Sequence, residues 1–247
     1  MKLSKLDEEN LVEIPAENIF SSMGYATENG YDLHPKKEKA ERDIFSEVIL
    51  NRTRDCLLKI NDGISSQMID VALQQIKNLG YASIIENNQK FHQYLISGVK
   101  VTAIGKNGKN ETKIVKLIDF ENTEKNNFLA VRQFVVEQAA KRRADHIIFI
   151  NGLPIVILEY KDPTQKNATP RDAYNQLGET EYQRDIPKLF YYNSFLVVSD
   201  GTIAKYGTFT AKFERFTSWK ESEKNKKKID FELEIMLRGM FEKSTLL

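Results

Sequence analysis

The chain contains 247 residues, 41% of them hydrophobic, with 36 Lys and Arg balanced by 35 Asp and Glu. This composition is typical of a soluble globular protein, and α/β domains of this length exist. No apolar run is long enough to span a bilayer, so a membrane partner is excluded. The net charge of +1 excludes a protein that binds nucleic acid by overall charge, so local basic patches must supply any attraction for phosphates.

The single cysteine and the polar amino terminus predict the cellular compartment. Cys56 has no partner for an intramolecular disulfide, which suits a reducing environment. The first residues lack the apolar core of a signal peptide. Both observations predict a cytoplasmic protein.

The first third of the chain predicts helices. Residues 1–37 have weak periodicity and predict an amino-terminal arm with a short helix near residues 16–23. From Glu38 onward, apolar residues at helical spacing predict a helix that ends at Asn61-Asp62-Gly63. A second helix is predicted over Ser65–Leu79, with Gly80 just beyond its end.

The middle of the chain predicts strands. Residues 91–101 predict a short helix and strand, and residues 96–104 and 112–119 predict a hairpin. The loop between them, Gly105–Asn110, lacks the Lys-Ser or Lys-Thr of a phosphate-binding loop. A strand is predicted over Phe128–Val136, followed by a basic loop, Lys141-Arg142-Arg143, that either flanks an entering nucleic-acid strand or is simply solvated.

Two apolar runs rich in β-branched residues, Ile147–Ile150 and Ile155–Leu158, are separated by Asn151-Gly152-Leu153-Pro154, which predicts a β-hairpin. Asp145 lies just before the first run, whereas Glu159 and Lys161 lie at the end of the second. An antiparallel pairing therefore brings these three charges together. Because side chains alternate along a strand, Glu159 and Lys161 share one face.

Two carboxylates and an ammonium at one end of an apolar hairpin are costly unless something balances them. A divalent cation would do so, because Asp145, Glu159 and the backbone carbonyl of Tyr160 offer the oxygen ligands that Mg²⁺ accepts. Lys161 would then position the attacking water or neutralise charge on a phosphate. The alternative is that Lys161 pairs with Glu159 or Asp145 at an ordinary strand end.

The last third predicts alternating helices and strands. Thr169-Pro170 opens a helix over about Arg171–Arg184. Asn193–Ser199 predicts a buried strand with a partner over Ile203–Tyr206. Lys224–Lys228 predicts a solvated turn before a last helix, Phe231–Phe241.

Asp145, followed fourteen positions later by Glu159-Tyr160-Lys161, is similar to the PD-(D/E)xK nuclease motif, with Ala144 where that family usually has Pro. Several separated blocks resemble the amino-terminal part of the R subunit of type I restriction enzymes, from about Leu11 to the carboxyl end. These blocks are Leu117–Asn122, Asn127–Phe134, Arg143–Asp145 and Asn151–Pro154.

The resemblance implies an α/β (α+β) fold with a restriction-endonuclease-like core, in which helices flank a mixed β-sheet. It implies a Mg²⁺-dependent DNA endonuclease whose catalytic residues are Asp145, Glu159 and Lys161. The domain limits are expected to be 1–37 for the arm, 38–220 for the endonuclease domain, and 221–247 for a helix leading toward helicase motor domains.

The resemblance also implies further site residues. In the R-subunit family a Gln-x-x-x-Tyr motif after the catalytic lysine is associated with handling DNA. Here Gln176 and Tyr182 are six positions apart, so both can reach one site only if the helix is irregular near Gly178. In related nucleases an acid on the first core helix often joins the metal site, and Glu41 or Glu47 is either this acid or an ordinary solvent-facing glutamate.

The family's partners would be DNA together with methyltransferase (M) and specificity (S) subunits, which recognise the site while ATP-driven motors deliver DNA. This chain has no ATP-binding loop and no visible base-reading element, so we expect a fragment or natural truncation that neither binds ATP nor reads sequence. Two alternatives stay open. One is a non-catalytic docking module that holds the motor subunit to its methyltransferase partners, and the other is an RNA-directed or repair nuclease with the same core.

Overall fold

The computed structural model describes residues 8–104, 109–165, 168–219 and 231–247. Its strands are β1 (Ala26–Asn29), β2 (Val99–Ile104), β3 (Asn110–Val115), β4 (Phe128–Glu137), β5 (Lys141–Ile150), β6 (Leu153–Tyr160), β7 (Phe195–Ser199) and β8 (Ala204–Gly207). Its helices are α1 (Ile14–Ser22), α2 (Thr53–Ile60), α3 (Ser66–Lys77), α4 (Ile84–Ser97), α5 (Pro170–Leu177), α6 (Tyr182–Asp185), α7 (Pro187–Tyr191), α8 (Glu232–Met240) and α9 (Lys243–Leu246). A π-helical turn, Glu9–Glu13, leads into α1.

Six strands form one mixed sheet in the order β1-β4-β5-β6-β7-β8. The central pairs β4-β5 and β5-β6 are antiparallel, whereas β1-β4 and β6-β7 are parallel. Strands β2 and β3 form a separate antiparallel hairpin. Helices flank the large sheet, which confirms the predicted α/β class and the restriction-endonuclease-like core.

The predicted hairpin is present, and its turn is tighter than expected. Only Asn151 and Gly152 lie between β5 and β6, with φ angles of 52° and 79°. A turn with two positive φ angles matches the twist of the paired strands. Gly152 is also required by packing, since a Cβ there would lie 2.3 Å from the Thr53 hydroxyl. Leu153 and Pro154 therefore belong to β6 rather than to the turn.

The segment Lys141–Arg143 was predicted to be a basic loop, but it forms the beginning of β5. Lys141 pairs with Glu137, and Arg143 pairs with Val135, so the turn between β4 and β5 occupies residues 138–140. Asp145 consequently lies inside a strand rather than before one. Because β5 begins at Lys141, the alternation of side chains along the strand determines where Lys141, Arg142 and Arg143 point.

The helix predicted from about Glu38 to Ile60 forms only over Thr53–Ile60, in α2. Residues 38–52 instead follow a series of turns around the buried side chain of Arg42. The Arg42 guanidinium donates to the carbonyls of Glu47 at 3.0 Å and of Val135 at 2.5 Å. These bonds satisfy backbone acceptors that would otherwise call for helical hydrogen bonds, and they attach the segment to β4.

The other predicted elements are found with shifted ends. Ser65 caps α3 through a hydrogen bond from the Met68 N–H, and α4 begins earlier than expected because Ser83 and Glu86 form a capping box. The predicted strands of the last third correspond to β7 and β8. Gly105–Gly108 and Lys224–Lys228 lie outside the described residues, and the domain limits at 37 and 220 stay predictions. No helix in the described ranges combines the length and hydropathy that crossing a membrane requires.

Candidate active site

The strand register brings Asp145 and Glu159 together. His146 pairs with Leu158, and one further step in the same antiparallel register places Asp145 opposite Glu159. Asp145 Oδ2 accepts a hydrogen bond of 2.8 Å from the backbone N–H of Tyr160. Lys161, the next residue, places its Nζ 3.7 Å from Glu159 Oε1. The structure thus gathers the three charges that the hairpin predicted at this end of the sheet.

The side chain of Tyr160 lies on the opposite face of the sheet. Its ring packs against His146, with the ring centroids 5.6 Å apart. Both side chains are fully buried, and Tyr160 does not line the cavity that contains Asp145 and Glu159. Any contribution of Tyr160 to a metal site is therefore limited to its backbone carbonyl, as the sequence analysis assumed.

Two acids that the sequence analysis did not single out join the site from the turn that precedes α1. One carboxylate oxygen each from Glu8, Glu13 and Asp145 lies within 4.8 Å of the others. Glu13 is buried, and its Oε2 accepts a hydrogen bond of 3.1 Å from Gln133 Nε2. Glu159 faces the same cavity but is not a member of this close group of three oxygens.

Gln133 occupies an unusual backbone conformation beside the acids. Its φ is 57°, a region that few residues other than glycine adopt, and the register of β4 and β5 leaves it unpaired opposite Asp145. Gly30 lies directly against it, because a Cβ on Gly30 would be 2.5 Å from the Gln133 carbonyl oxygen. This close approach holds the backbone of Gln133 at its positive φ, which directs the Gln133 side chain toward Glu13.

Glu41 and Glu47 do not join the site, so of the two alternatives the structure excludes the metal-site acid. Glu41 forms an ion pair of 2.7 Å with Arg52, and Glu47 lies 3.8 Å from Lys77. Neither lines the cavity. The predicted helix that would have carried them is replaced by turns, and Glu8 and Glu13 supply the acids from an earlier element.

Burial leaves the acids of this site poorly stabilised as charged groups. Burial raises the pKa of Asp145 to about 7. Burial, together with the charge of Asp145, raises the pKa of Glu159 well above its ordinary value. Burial also raises the pKa values of Glu8 and Glu13. The charge of Lys161 lowers the pKa of Glu159, but by less than burial and the charge of Asp145 raise it.

Gln176 connects the lysine to the acid. Its Oε1 accepts a hydrogen bond of 2.6 Å from Lys161 Nζ, and its Nε2 donates to Glu159 Oε1. The same Nε2 lies 3.0 Å from the Tyr182 hydroxyl, which donates at 2.6 Å to the carbonyl of Arg143. The amide thus holds both Lys161 and Glu159 in place.

The irregular turn that Gln176 and Tyr182 require is present. Helix α5 ends at Leu177, Gly178 follows with extended backbone, and α6 begins at Tyr182. This break confirms the prediction that the two residues meet despite their spacing of six. Tyr182 is only 2% exposed and does not line the cavity, so it contacts Gln176 from the protein interior. Gln176 itself lines the cavity.

The donors of the site fit a hard divalent cation. They are carboxylate oxygens, which Mg²⁺ and Ca²⁺ prefer. One of them, Glu159 Oε2, is buried and has no hydrogen-bond partner among the described residues. Oxygens on opposite sides of a Mg²⁺ ion lie roughly 4.2 Å apart, twice the Mg–O distance, so a group spread over 4.8 Å needs only a small contraction.

The cavity has a volume of about 620 Å³ and continues beyond the acids. It is lined at one end by Glu8, Asp145, Glu159, Lys161 and Gln176, and elsewhere by Tyr31, His34, Gln133, Val135, Lys141 and Arg143. The site is therefore acidic at one end, and basic and aromatic at the other.

Comparisons with known proteins identify the family of the chain. A protein named as the type I restriction enzyme MjaIXP endonuclease subunit of Methanocaldococcus jannaschii is 34% identical over 99% of the chain and 25% of its own length. The type I restriction enzyme HindI endonuclease subunit of Haemophilus influenzae is 33% identical over 98% of the chain and 23% of its own length. The chain thus spans about a quarter of the length of these relatives. Residues 5–215 match the family model described as the type I restriction enzyme R protein N terminus, and the chain belongs to this family.

Proposed function

We propose that this chain is the Mg²⁺-dependent endonuclease module of a type I restriction enzyme R subunit, and that it hydrolyses phosphodiester bonds of DNA. The observation that carries the proposal is a cluster of three buried carboxyl groups, Glu13, Asp145 and Glu159, with the half-buried Glu8, beside the ammonium of Lys161 in one cavity. Such a cluster is stable when a divalent cation neutralises it.

In this proposal Asp145, Glu159 and the carbonyl of Tyr160 hold the cation, as in a PD-(D/E)xK nuclease, and Glu8 and Glu13 add oxygen ligands. Bound Mg²⁺ would supply Lewis-acid activation of the phosphate and a lower pKa for a water molecule. Lys161 donates hydrogen bonds toward that water or toward a phosphate oxygen that gains negative charge. Gln176 fixes the direction of the Lys161 ammonium.

We further propose that the chain cleaves without reading sequence. Its relatives are named as endonuclease subunits, and the described chain covers about a quarter of their length. In a type I enzyme, methyltransferase and specificity subunits would recognise the site, and ATP-dependent motor domains would deliver DNA to this cytoplasmic module. The activity of the isolated module would then be slow.

The direct test is nicking of supercoiled plasmid by the chain at high concentration, and by the full-length subunit assembled with its partners. We expect relaxed plasmid to accumulate with Mg²⁺ or Mn²⁺ and to disappear with EDTA. Nicking that persists in EDTA would contradict the proposal. No nicking by the assembled enzyme with either metal would instead favour a docking module that only holds the motor subunit to its partners.

Replacing Gln176 with alanine is expected to slow nicking about 10- to 100-fold, a loss typical of residues that orient the groups around a metal. The amide touches both Lys161 and Glu159, so its removal frees two side chains at once. Because Gln176 orients catalytic groups, the rate at saturating DNA should fall while the DNA concentration for half-maximal rate stays unchanged. The matched control is Gln75→Ala, since Gln75 is remote from the cavity and donates only to the Lys100 carbonyl. An equal loss in both variants would reject the positioning role.

A further inference from the structure

The part of the cavity away from the acids has its own chemistry. Lys141, Arg143 and Asp145 all line the cavity and alternate with residues that point elsewhere, so they form one row along β5. Neighbouring members of this row are about 7 Å apart, because each residue of a strand advances the chain about 3.4 Å. The two cations therefore sit in line with the acidic cluster, each able to contact a different phosphate.

Arg143 is available for such a contact. Its side chain is exposed, and no carboxylate among residues 8–104, 109–165, 168–219 and 231–247 forms an ion pair with it. The neighbouring Arg142, by contrast, is bound to Asp185 at 2.5 Å and to Glu181 at 3.3 Å, away from the cavity. Over a longer distance, the charge of Arg143 partly offsets the rise that burial causes in the pKa values of Glu8 and Glu13. An arginine that forms no close ion pair among the described residues, beside a cluster of acids, is suited to an anionic ligand that bridges both.

Tyr31 and His34 form a second wall of the cavity and belong to a row of rings and cations that reaches Lys141. Lys37 Nζ lies 4.0 Å from the centroid of the Tyr31 ring, and the Tyr31 and His34 rings are 5.1 Å apart. The His34 and Phe45 rings are 4.9 Å apart, and Lys141 Nζ lies 5.8 Å from the Phe45 centroid. Three rings in contact, with a lysine at each end of the row, combine the aromatic and basic groups of sites that bind unpaired nucleic acid, where bases stack on rings and cations hold phosphates.

Tyr31 is the accessible ring of this wall. It is 57% exposed, and its hydroxyl accepts a hydrogen bond of 2.9 Å from Lys37 Nζ. His34 Nε2 is buried and has no hydrogen-bond partner in the described part of the chain. Burial and the nearby charge of Arg42 lower the pKa of His34, so its ring is neutral at neutral pH and can accept or donate one hydrogen bond.

The wall is anchored to the sheet. The Gly30 N–H donates to the Arg132 carbonyl at 2.6 Å, and the Tyr31 N–H donates to Asn29 Oδ1 at 2.9 Å. Gly30 also packs against the backbone of Gln133, beside Asp145. Tyr31 is therefore held at a fixed position relative to the acidic cluster.

We propose that this basic and aromatic end of the cavity binds an unpaired DNA strand, with phosphates on Arg143 and Lys141 and a base against Tyr31. The bases of a duplex are paired and stacked on each other, so their faces are closed to Tyr31, whereas those of an unpaired strand are open. A cavity of about 620 Å³ is the size of a site for a small ligand, which fits a few nucleotides of one strand better than a duplex. This proposal rests on the proposed nuclease function only for the cleavage of the bound strand, which would take place at the acidic end of the cavity.

The test measures binding without cleavage. Fluorescence anisotropy compares a labelled oligothymidylate with a duplex of equal length, in EDTA and over a range of salt concentrations, for the full chain. The variants are Arg143→Ala, Tyr31→Ala and Tyr31→Trp. Their matched controls are Arg215→Ala and Tyr81→Ala, since both residues are exposed and outside the cavity. Thermal melting verifies that each variant is folded.

We expect the wild-type chain to bind the unpaired strand more tightly than the duplex. Arg143→Ala should lower the slope of log K against log salt by about 0.7, the loss of one phosphate contact on a single strand. Tyr31→Ala should weaken binding of the unpaired strand about tenfold and leave duplex binding unchanged, and Tyr31→Trp should retain binding. The control variants should match the wild type.

Several results would overturn the proposal. They are equal affinity for the unpaired strand and the duplex, no detectable binding of the unpaired strand at low salt, or an unchanged affinity in Tyr31→Ala and Arg143→Ala. Because the assay contains no divalent cation, its outcome is independent of catalysis. If the unpaired strand binds as expected but metal-dependent nicking is absent, the nuclease function alone is rejected. If nicking occurs but Arg143→Ala and Tyr31→Ala bind the strand like the wild type, the strand site alone is rejected.

Discussion

Lys161→Ala is expected to reduce the rate of metal-dependent DNA nicking about 10²- to 10³-fold, the loss typical of removing one group that stabilises charge in a transition state. The Lys161 ammonium lies 3.7 Å from Glu159 and is held at 2.6 Å by Gln176. It lines the acidic end of the cavity, where Arg132 Nη1 also lies 3.7 Å from Glu13 Oε2. Its removal therefore takes away both a hydrogen-bond donor and the ammonium that the described residues place beside Glu159.

The measurement is the initial rate of plasmid nicking by the enzyme assembled from its subunits, with saturating Mg²⁺ and DNA. Lys90→Ala is the matched control, because Lys90 lies on α4, away from the cavity, with its Nζ 4.4 Å from the Tyr94 ring centroid. The control should keep the wild-type rate. Equal nicking by wild type and Lys161→Ala would mean that the cavity does not cut DNA, and the docking role would then explain the module.

The hairpin itself was predictable from local rules, because a two-residue turn at Asn151-Gly152 sets the antiparallel pairing and the side-chain period of two sets the faces. These two rules alone would place Asp145 opposite Leu158. A register shift in the pairing of β5 with β6, between Ile148 and Phe149, moves Asp145 opposite Glu159, and neither rule predicts that shift. The break near Gly178 was predictable, since six positions on a regular helix do not share a face.

The contribution of Glu8 and Glu13 was not predictable from their own segment. A glutamate on a short helix near the amino terminus resembles a solvent-facing residue until the helix is placed against the sheet. One signal was present, because Glu9, Glu13 and Glu17 are spaced four apart and so repel each other on one helical face. Arg132 of β4 offsets this repulsion through ion pairs of 2.5 Å to Glu9 and 3.1 Å to Glu17. Only the packing of α1 on β4 reveals that partner.

The missing helix over residues 38–52 has a similar cause. The apolar spacing around Ile44 and Val48 is helical, yet Ile44 is 56% exposed while Val48 is buried. The buried guanidinium of Arg42 stacks 3.9 Å from the Phe134 ring centroid and binds three backbone carbonyls. A tertiary contact of this kind overrides a weak local preference. As a result Glu41 and Glu47 are turned away from the site, whereas His34 and Tyr31 line it.

Asp145→Asn is expected to make the metal-free protein more stable at neutral pH while removing its stabilisation by Mg²⁺. Burial raises the pKa of Asp145 from 3.8 to about 7. Between these values the folded state holds a proton that the unfolded state has lost, so stability falls as the pH rises through this window. Asparagine keeps the acceptor for the Tyr160 N–H but carries no charge, so the part of the fall that Asp145 causes should vanish, while the parts caused by Glu8, Glu13 and Glu159 remain.

Asp145→Asn should therefore melt at about the wild-type temperature near pH 4, and its advantage should grow up to pH 7 to 8. The shift of about three pKa units sets an upper limit of about 4 kcal/mol, and a gain near 2 kcal/mol corresponds to about 4–8 °C for a chain of this size. His146 acts in the opposite sense. Burial lowers its pKa to about 3, so it destabilises the fold as the pH falls below about 6.5. Because this contribution is common to both proteins, the difference in melting temperature between them isolates Asp145.

The measurement is differential scanning fluorimetry from pH 4 to 8, in EDTA and in millimolar Mg²⁺. Wild type should gain stability with Mg²⁺ above pH 6, because cation binding requires ionised carboxylates, and Asp145→Asn should gain little. The matched control is Asp119→Asn. Asp119 is buried outside the cavity and already accepts hydrogen bonds from the N–H groups of Glu121 and Asn122, so the variant should show no stabilisation. If Asp145→Asn is no more stable than wild type at pH 8 in EDTA, the carboxyl groups are balanced without a cation, and the physical basis of the proposed metal site is lost.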